Sequence, residues 1–149
     1  MIITTALSIY YLPRLSEISD KLELKSEVLN GIKIIVPFVI TLSFTIYLLK
    51  DFIIWVLFSE DFVPMAQLFK WQLIGDVIKM SSWLMSYILI SKAMTRSYIF
   101  TEISFAIFFV SCSIIAIDKF GLVGMSYSYT ISYIFYFVLV AALTKRHVI

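Results

Sequence analysis

Two charged residues near the middle of an apolar stretch of membrane-spanning length, residues 65–90, constrain the fold of this chain most strongly. Asp76 and Lys79 lie three positions apart within it. At the centre of a bilayer these charges cost roughly 5–7 kcal/mol, while about ten Leu, Ile, Val and Phe residues return roughly 3–6 kcal/mol. A helix here is therefore marginal if the charges face lipid. It is stable if they pair or face a polar cavity inside a protein.

The composition indicates an integral membrane protein. The chain has 149 residues, of which 61% are hydrophobic, and its mean hydropathy is +0.97. Soluble domains are typically about half apolar or less. Because the apolar runs are continuous, they fit spanning helices rather than the alternating strands of a membrane barrel. We predict an all-α membrane fold with four full transmembrane helices, an N-terminal partial helix and a cytoplasmic amphipathic helix.

The hydropathy pattern predicts the order of these elements. The expected partial helix covers residues 1–12, the amphipathic connector 15–30, and the spans about 32–49, 65–90, 98–117 and 122–143. The first segment is too short to span a membrane, which takes about twenty residues, and it lacks the features of a signal peptide. We therefore expect the chain to be the C-terminal portion of a longer transporter. A helix running straight from residue 32 to 58 would overrun the membrane, so we expect a break near Lys50–Asp51, with residues 53–58 in the interface.

The distribution of Lys and Arg predicts the orientation. One side of the predicted topology carries Arg14, Lys21, Lys25, Lys33, Lys92, Arg96, Lys145 and Arg146, and the other carries Lys50, Lys70 and Lys119. Loops rich in Lys and Arg stay in the cytoplasm. The C-terminus is therefore expected to be cytoplasmic.

A polar face runs along the second predicted span. At 100° per residue, five side chains fall within about 40° of one direction. They are Gln72, Asp76, Lys79, Trp83 and Ser86. Asp76 lies roughly 15 Å into the span, close to the midplane. This pattern favours the lining of a cavity that meets a polar or anionic substrate or couples transport to protons. The alternative is an i,i+3 Asp–Lys ion pair that packs against another helix.

The fourth predicted span has two distinct faces. Tyr129, Tyr133 and Tyr136 share one face, which suits either a cavity that accommodates sugars or a packed interior. The other face carries the small residues Gly124, Ser128 and Ser132 and predicts a helix-packing surface. In the third span, Glu102 lies about one turn from the cytoplasmic end, where we expect its side chain to reach the interface.

Several classes of function are disfavoured by the residue inventory. The chain has one cysteine, Cys112, and one histidine, His147, so we expect no metal centre and no disulfide framework. No nucleophile–histidine arrangement or glycine-rich phosphate loop is present, so we expect neither an enzyme nor a cofactor. A net charge of +2 does not suggest nucleic-acid binding.

Three strings carry a resemblance to a known family. They are SIYYLPRLSEI at 8–18, SFTIYLLKDFIIWVLFSEDF at 43–62 and FKWQLIGDVIKMSSWLMSYILISKA at 69–93. Together they resemble the C-terminal part of Wzx-type polysaccharide flippases of the MOP superfamily, a group that includes O-antigen translocases and lipid III flippases. The most specific part runs from Trp71 to Lys79.

The resemblance implies a multi-pass protein of the bacterial inner membrane, formed by the end of the second lobe of a twelve-helix transporter. The implied activity is translocation of undecaprenyl-diphosphate-linked O-antigen units for lipopolysaccharide biosynthesis, with polysaccharide polymerase machinery as a further partner. The implied cavity would use basic residues for the diphosphate, a role that suits Lys79, and acidic residues such as Asp76 for coupling. Tyr129 and Tyr133 complete the candidate cavity residues.

Three alternatives stay open at this point. The first is a lipid III flippase for enterobacterial common antigen. The second is a cation or drug antiporter of the same superfamily, which would favour acidic cavity residues without a paired lysine. The third is a membrane subunit that is inactive by itself. The composition, rich in Ile, Lys, Phe, Ser and Tyr, favours O-antigen over the common antigen.

Overall fold

A computed structural model describes residues 2–57 and 66–147, and every regular element in these ranges is an α-helix. The helices are α1 (Ile2–Glu17), α2 (Lys21–Leu48), α3 (Lys50–Leu57), α4 (Ala66–Ser91), α5 (Thr95–Phe120) and α6 (Leu122–His147). Within the described residues, α2, α4, α5 and α6 are long and apolar enough to cross a membrane. The predicted all-α membrane fold with four spanning helices is confirmed.

The N-terminal elements differ from the predicted partial helix at 1–12 and separate connector at 15–30. Helix α1 continues through Pro13 to Glu17. The next helix starts at Lys21, because the Asp20 carboxylate accepts a hydrogen bond from the backbone N–H of Glu23 at 3.0 Å and caps it. From there α2 runs without interruption into the first span. The charged periodic segment is thus divided between the end of α1 and the beginning of α2 and is not an element of its own.

The expected break after the first span falls at Leu49, between α2 and α3. The Leu49 backbone N–H still bonds to the carbonyl of Thr45, while the chain starts a new helix at Lys50. The predicted interfacial segment 53–58 belongs to α3 as far as Leu57. Residue 58, the acidic pair at 60–61 and the first residue of the predicted span 65–90 lie outside the described residues.

Helix α4 is central to the packing. It contacts α1, α2 and α3 on one side and α5 and α6 on the other. Two hydrophobic clusters result. The first joins α1, α2 and α4 through Tyr11, Leu15, Val28, Val39, Leu84 and Ile88, and the second joins α4 and α6 through Leu89, Tyr133, Tyr136 and Val140. Asp76 and Lys79 lie on the side of α4 that contacts α6.

Small residues permit the close approach of α6 to its neighbours, as the sequence predicts. A Cβ atom at Gly124 would overlap the backbone carbonyl of Ala116, so α5 and α6 touch backbone to backbone there. Ser128 is fully buried nearby and donates its hydroxyl to the Gly124 carbonyl at 2.9 Å. The predicted role of this row in helix packing is confirmed.

The α1–α2 junction and the α4–α5 turn lie at the same end of the helices. The Lys92 ammonium group donates a hydrogen bond to the backbone carbonyl of Ile18. At this end Arg14 also lies 3.9 Å from a carboxylate oxygen of Glu23 and of Glu27. The contact places two of the predicted basic loops together. Their location on the cytoplasmic side stays a prediction.

Candidate functional site

The Tyr129 hydroxyl joins the two charged residues of α4. It donates a hydrogen bond to Asp76 Oδ1 at 2.6 Å and accepts one from Lys79 Nζ at 3.3 Å. All three side chains are half-buried between α4 and α6. A hydrogen bond to an ionised group is shorter and stronger than one between neutral groups. The tyrosine therefore offers each charge a partner inside an apolar helix pair.

This arrangement differs from the direct Asp–Lys pair considered as the alternative. Ion pairs within 4.0 Å in the described residues join Arg14 to Glu23 and Glu27, and Lys50 to Asp51, but do not join Asp76 to Lys79. The two α4 charges thus interact through a residue of another helix. A tertiary contact, rather than spacing along one helix, holds them.

Aromatic rings surround the Lys79 ammonium group. Its nitrogen lies 5.1 Å from the ring centre of Trp83, 5.4 Å from that of Tyr133 and 5.8 Å from that of Tyr129. Each separation is within the range of a cation–π interaction, which gains strength as water is excluded. Lys79 is therefore held as a cation by ring faces and one hydroxyl, with no carboxylate within ion-pair distance in the described chain.

Two local features hold Tyr129 against α4. Gly75 lies directly opposite its ring, and a Cβ atom at that position would come within 2.5 Å of Tyr129 Cδ1. The neighbouring Thr130 hydroxyl donates to the backbone carbonyl of Trp71 at 2.6 Å. The missing side chain at Gly75 makes room for the ring, and the Thr130 bond fixes the register of α6 along α4.

A second carboxylate is hydrogen-bonded to another tyrosine of α6, about two helical turns from Tyr129. The Tyr136 hydroxyl is hydrogen-bonded to Glu102 Oε1 at 2.6 Å and to Ser86 Oγ at 3.2 Å. A cavity of about 160 Å³ adjoins this group and is lined by Trp83, Tyr87, Tyr98 and Ile90 as well. Tyr136 of α6 thus gives the Glu102 carboxylate a hydrogen-bond partner that the sequence did not indicate, while its expected reach to the interface stays a prediction.

A row of tyrosines connects the two groups. The ring of Tyr133 lies 4.8 Å from that of Tyr129 and 6.4 Å from that of Tyr136, both edge to face. Phe105 of α5 supports the row, with its ring 4.9 Å from Tyr133 and 5.2 Å from Tyr136. We call the whole set the polar line, comprising Asp76, Lys79, Trp83, Ser86, Glu102, Tyr129, Tyr133 and Tyr136.

The structure brings together most of the predicted cavity residues. Asp76, Lys79, Trp83, Tyr129 and Tyr133 form one group, and Ser86 lies with the second carboxylate. Gln72 is the exception. Its side chain lines a separate, mainly apolar groove of about 370 Å³ that is shared with the first turns of α6.

Two members of the polar line were not among the predicted cavity residues. Tyr136 shares a face with Tyr129 and Tyr133, and this spacing was the available signal. Glu102 gave a weaker signal, a carboxylate inside an apolar span. Only the packing of α5 on α6 shows that the two residues meet.

The polar line offers binding groups and hydrogen-bonded protons rather than a reactive centre. It contains one ammonium group, two carboxylates, three phenols and an indole face. No cluster of three His, Cys, Asp or Glu residues suited to a metal ion occurs in the described ranges. A cation held by ring faces can bind an anionic group, and phenols can exchange hydrogen bonds with hydroxyls of a ligand.

Two curated proteins are similar to the chain. It is 39% identical over 135 residues to the lipid III flippase of Escherichia coli strain K12, and equally so to that of Shigella flexneri. The alignment covers 91% of this chain and 32% of each relative, so the chain spans about a third of their length. No protein-family model matches the chain. No solved structure matches it either.

Both relatives are named flippases, which are transporters and not enzymes. Together with the four spanning helices, they indicate a multi-pass membrane protein. The similarity confirms the resemblance predicted from the sequence strings: over nearly all of its own length, the chain is related to about a third of a lipid III flippase of the MOP superfamily.

Proposed function

We propose that this chain forms one wall of a path along which a lipid-linked oligosaccharide crosses a membrane. The similarity to two lipid III flippases carries the proposal. The polar line supports it, because three spanning helices that hold one cation and two carboxylates between them need a function or hydrogen-bond partners for those charges. A drug antiporter is less well supported, since Lys79 lies within the same group as Asp76.

Within this proposal, the residues have distinct roles. The Lys79 ammonium group faces the diphosphate of the substrate, and its ring surroundings keep it in place. Tyr133, Tyr136 and Trp83 offer ring faces and hydroxyls to sugar units. Asp76 and its Tyr129 partner are the proton-exchanging pair, because protonation of the carboxylate weakens the charge-assisted hydrogen bond that it accepts from the phenol.

The proposed substrate is lipid III rather than an O-antigen unit. The composition favoured O-antigen, but nothing in the comparisons supports that choice, and both relatives carry the name lipid III flippase. We further propose an inner-membrane location with a cytoplasmic C-terminus, supported by the Lys and Arg count and by the shared end of the basic loops. A partnership with polysaccharide polymerase machinery stays a prediction.

A chimera tests the proposal. The aligned third of the Escherichia coli lipid III flippase is replaced by this chain, and the chimera is expressed in one strain lacking that flippase and in another lacking an O-antigen flippase. We expect the surface glycan made from lipid III to return in the first strain. Recovery of O-antigen alone would favour the other substrate. If neither glycan returns although the chimera is present in the membrane, the flippase proposal is contradicted.

A further inference from the structure

A groove between α2 and α4 lies on a different face of α4 from the polar line. It has a volume of about 460 Å³ and an almost entirely apolar lining, which includes Ile40, Phe44, Tyr47, Ile74 and Ile78. Lys70 lies at one end. Phe44 is 61% exposed and Ile40 is 49% exposed, so the groove opens outward. No part of the proposed transport path enters it.

The length of the groove matches one leaflet of a bilayer. Along α4 the lining runs from Lys70 to Ile78, and the eight residue-to-residue steps between them rise about 12 Å. The hydrocarbon core of a bilayer is about 30 Å thick, so one leaflet contributes about 15 Å. An acyl chain of a phospholipid fills this depth, whereas a long polyprenyl tail would extend well beyond it.

The positive charge of Lys70 at one end of the groove indicates which kind of lipid headgroup the groove would bind. Lys50 is hydrogen-bonded to Asp51 at 3.0 Å and is thereby neutralised. Lys70 has no carboxylate within 4.0 Å in residues 2–57 and 66–147, and its nitrogen lies 5.8 Å from the Trp71 ring centre. Trp and Tyr side chains at such a position mark the level of lipid headgroups. The Lys70 cation at that level is complementary to an anionic headgroup.

From these observations we propose that the α2–α4 groove binds one anionic phospholipid, with an acyl chain along α2 and α4 and the phosphate at Lys70. The site is independent of the proposed function, because it uses another face of α4. A lysine near a membrane surface contributes about 1 kcal/mol toward anionic lipid, or about a five-fold preference.

Native mass spectrometry tests the site on the full chain in detergent, with phosphatidylglycerol or phosphatidylcholine as the added lipid. We expect the chain to retain one phosphatidylglycerol molecule in preference to phosphatidylcholine. Lys70→Gln should reduce that preference about five-fold. Lys119→Gln, in the last turn of α5, is the matched control and should leave it unchanged. Ile74→Trp, which fills the groove, should reduce retention of both lipids.

Three results would overturn the proposal. They are an unchanged preference in Lys70→Gln, an equal loss in Lys119→Gln, and full lipid retention in Ile74→Trp. Circular dichroism of each variant shows whether its helices are intact. Because Lys70 and Lys119 are both exposed, we expect neither lysine substitution to disturb the fold, and their lipid preferences can be compared directly. Because the readout is lipid retention, a failure here is distinct from a failure of the flippase proposal.

Discussion

The Tyr129 hydroxyl donates a 2.6 Å hydrogen bond to the carboxylate of Asp76, across the contact between α6 and α4. The same oxygen accepts from Lys79, so one phenol serves both charges. In an apolar helix pair such a phenol replaces the water that the charges would otherwise bind. The two charges within this spanning helix therefore obtain their shared hydrogen-bond partner from a residue about fifty positions further along the chain.

Removing this hydroxyl should destabilise the protein and impair transport. Tyr129→Phe leaves Asp76 and Lys79 half-buried without their shared partner, and a hydrogen bond to a charged group contributes roughly 1.5–3 kcal/mol. We expect the free energy of unfolding in detergent to fall by about this amount. Tyr127→Phe is the matched control on the same helix, since its ring packs on Trp71 and keeps that contact. Equal effects in the two variants would contradict a special role for the Tyr129 hydroxyl.

Replacing both α4 charges separates a structural from a functional role. The double variant Asp76→Leu and Lys79→Leu should insert into the membrane more readily, because two costly charges are gone. In the flippase chimera it should nevertheless abolish return of the surface glycan. Asp118→Leu with Lys119→Leu removes the same residue types from the exposed last turn of α5 and should leave transport intact. Full transport in the first double variant would show that Asp76 and Lys79 serve only to join helices.

The environment of Glu102 predicts different outcomes for two substitutions. Glu102→Gln keeps an acceptor for the Tyr136 hydroxyl and should cost less than about 1 kcal/mol, whereas Glu102→Ala leaves that buried hydroxyl without its carboxylate and should cost about 1–3 kcal/mol. Thermal unfolding in detergent measures the difference. If the Glu102 side chain instead lay in the interface, the two substitutions would have the same small effect.

The two glycines that contact neighbouring helices should differ in their tolerance of a methyl group. At Gly124 the added Cβ atom meets the backbone of Ala116, which cannot rotate away, while at Gly75 it meets the ring of Tyr129. Overpacking costs roughly 1–3 kcal/mol, and the cost is largest where nothing can move. We expect Gly124→Ala to lower the unfolding temperature more than Gly75→Ala.

Transport should be reduced more by Gly75→Ala than by Gly124→Ala, the reverse of the order expected for stability. Gly75→Ala displaces the Tyr129 ring from Asp76 and should reduce transport by the chimera even if the fold survives. Gly124→Ala disturbs the α5–α6 contact away from Asp76. Normal transport in Gly75→Ala, with an unchanged unfolding temperature, would show that the close fit of Tyr129 against α4 is unimportant.

Sequence periodicity alone determined the spanning helices, because each span is a continuous apolar run whose length the bilayer sets. Helical spacing also placed Asp76, Lys79 and Trp83 on one face, and it placed Tyr129 and Tyr133 together on another helix. Local signals were weaker at the helix ends. Helix α2 begins at its Asp20 cap and runs from the charged residues into the first span without a break, which the charge pattern did not indicate.

The tertiary structure decided which of these faces meet. Asp76 and Lys79 could have paired within α4, and only the packing of α6 against Gly75 shows that Tyr129 stands between them. Glu102 could have reached the interface, and only the approach of α5 to α6 gives it Tyr136 as a partner. Periodicity fixes the direction of a side chain on its own helix. The partner of a buried charge depends on the register and rotation of a second helix, which close packing between distant residues establishes.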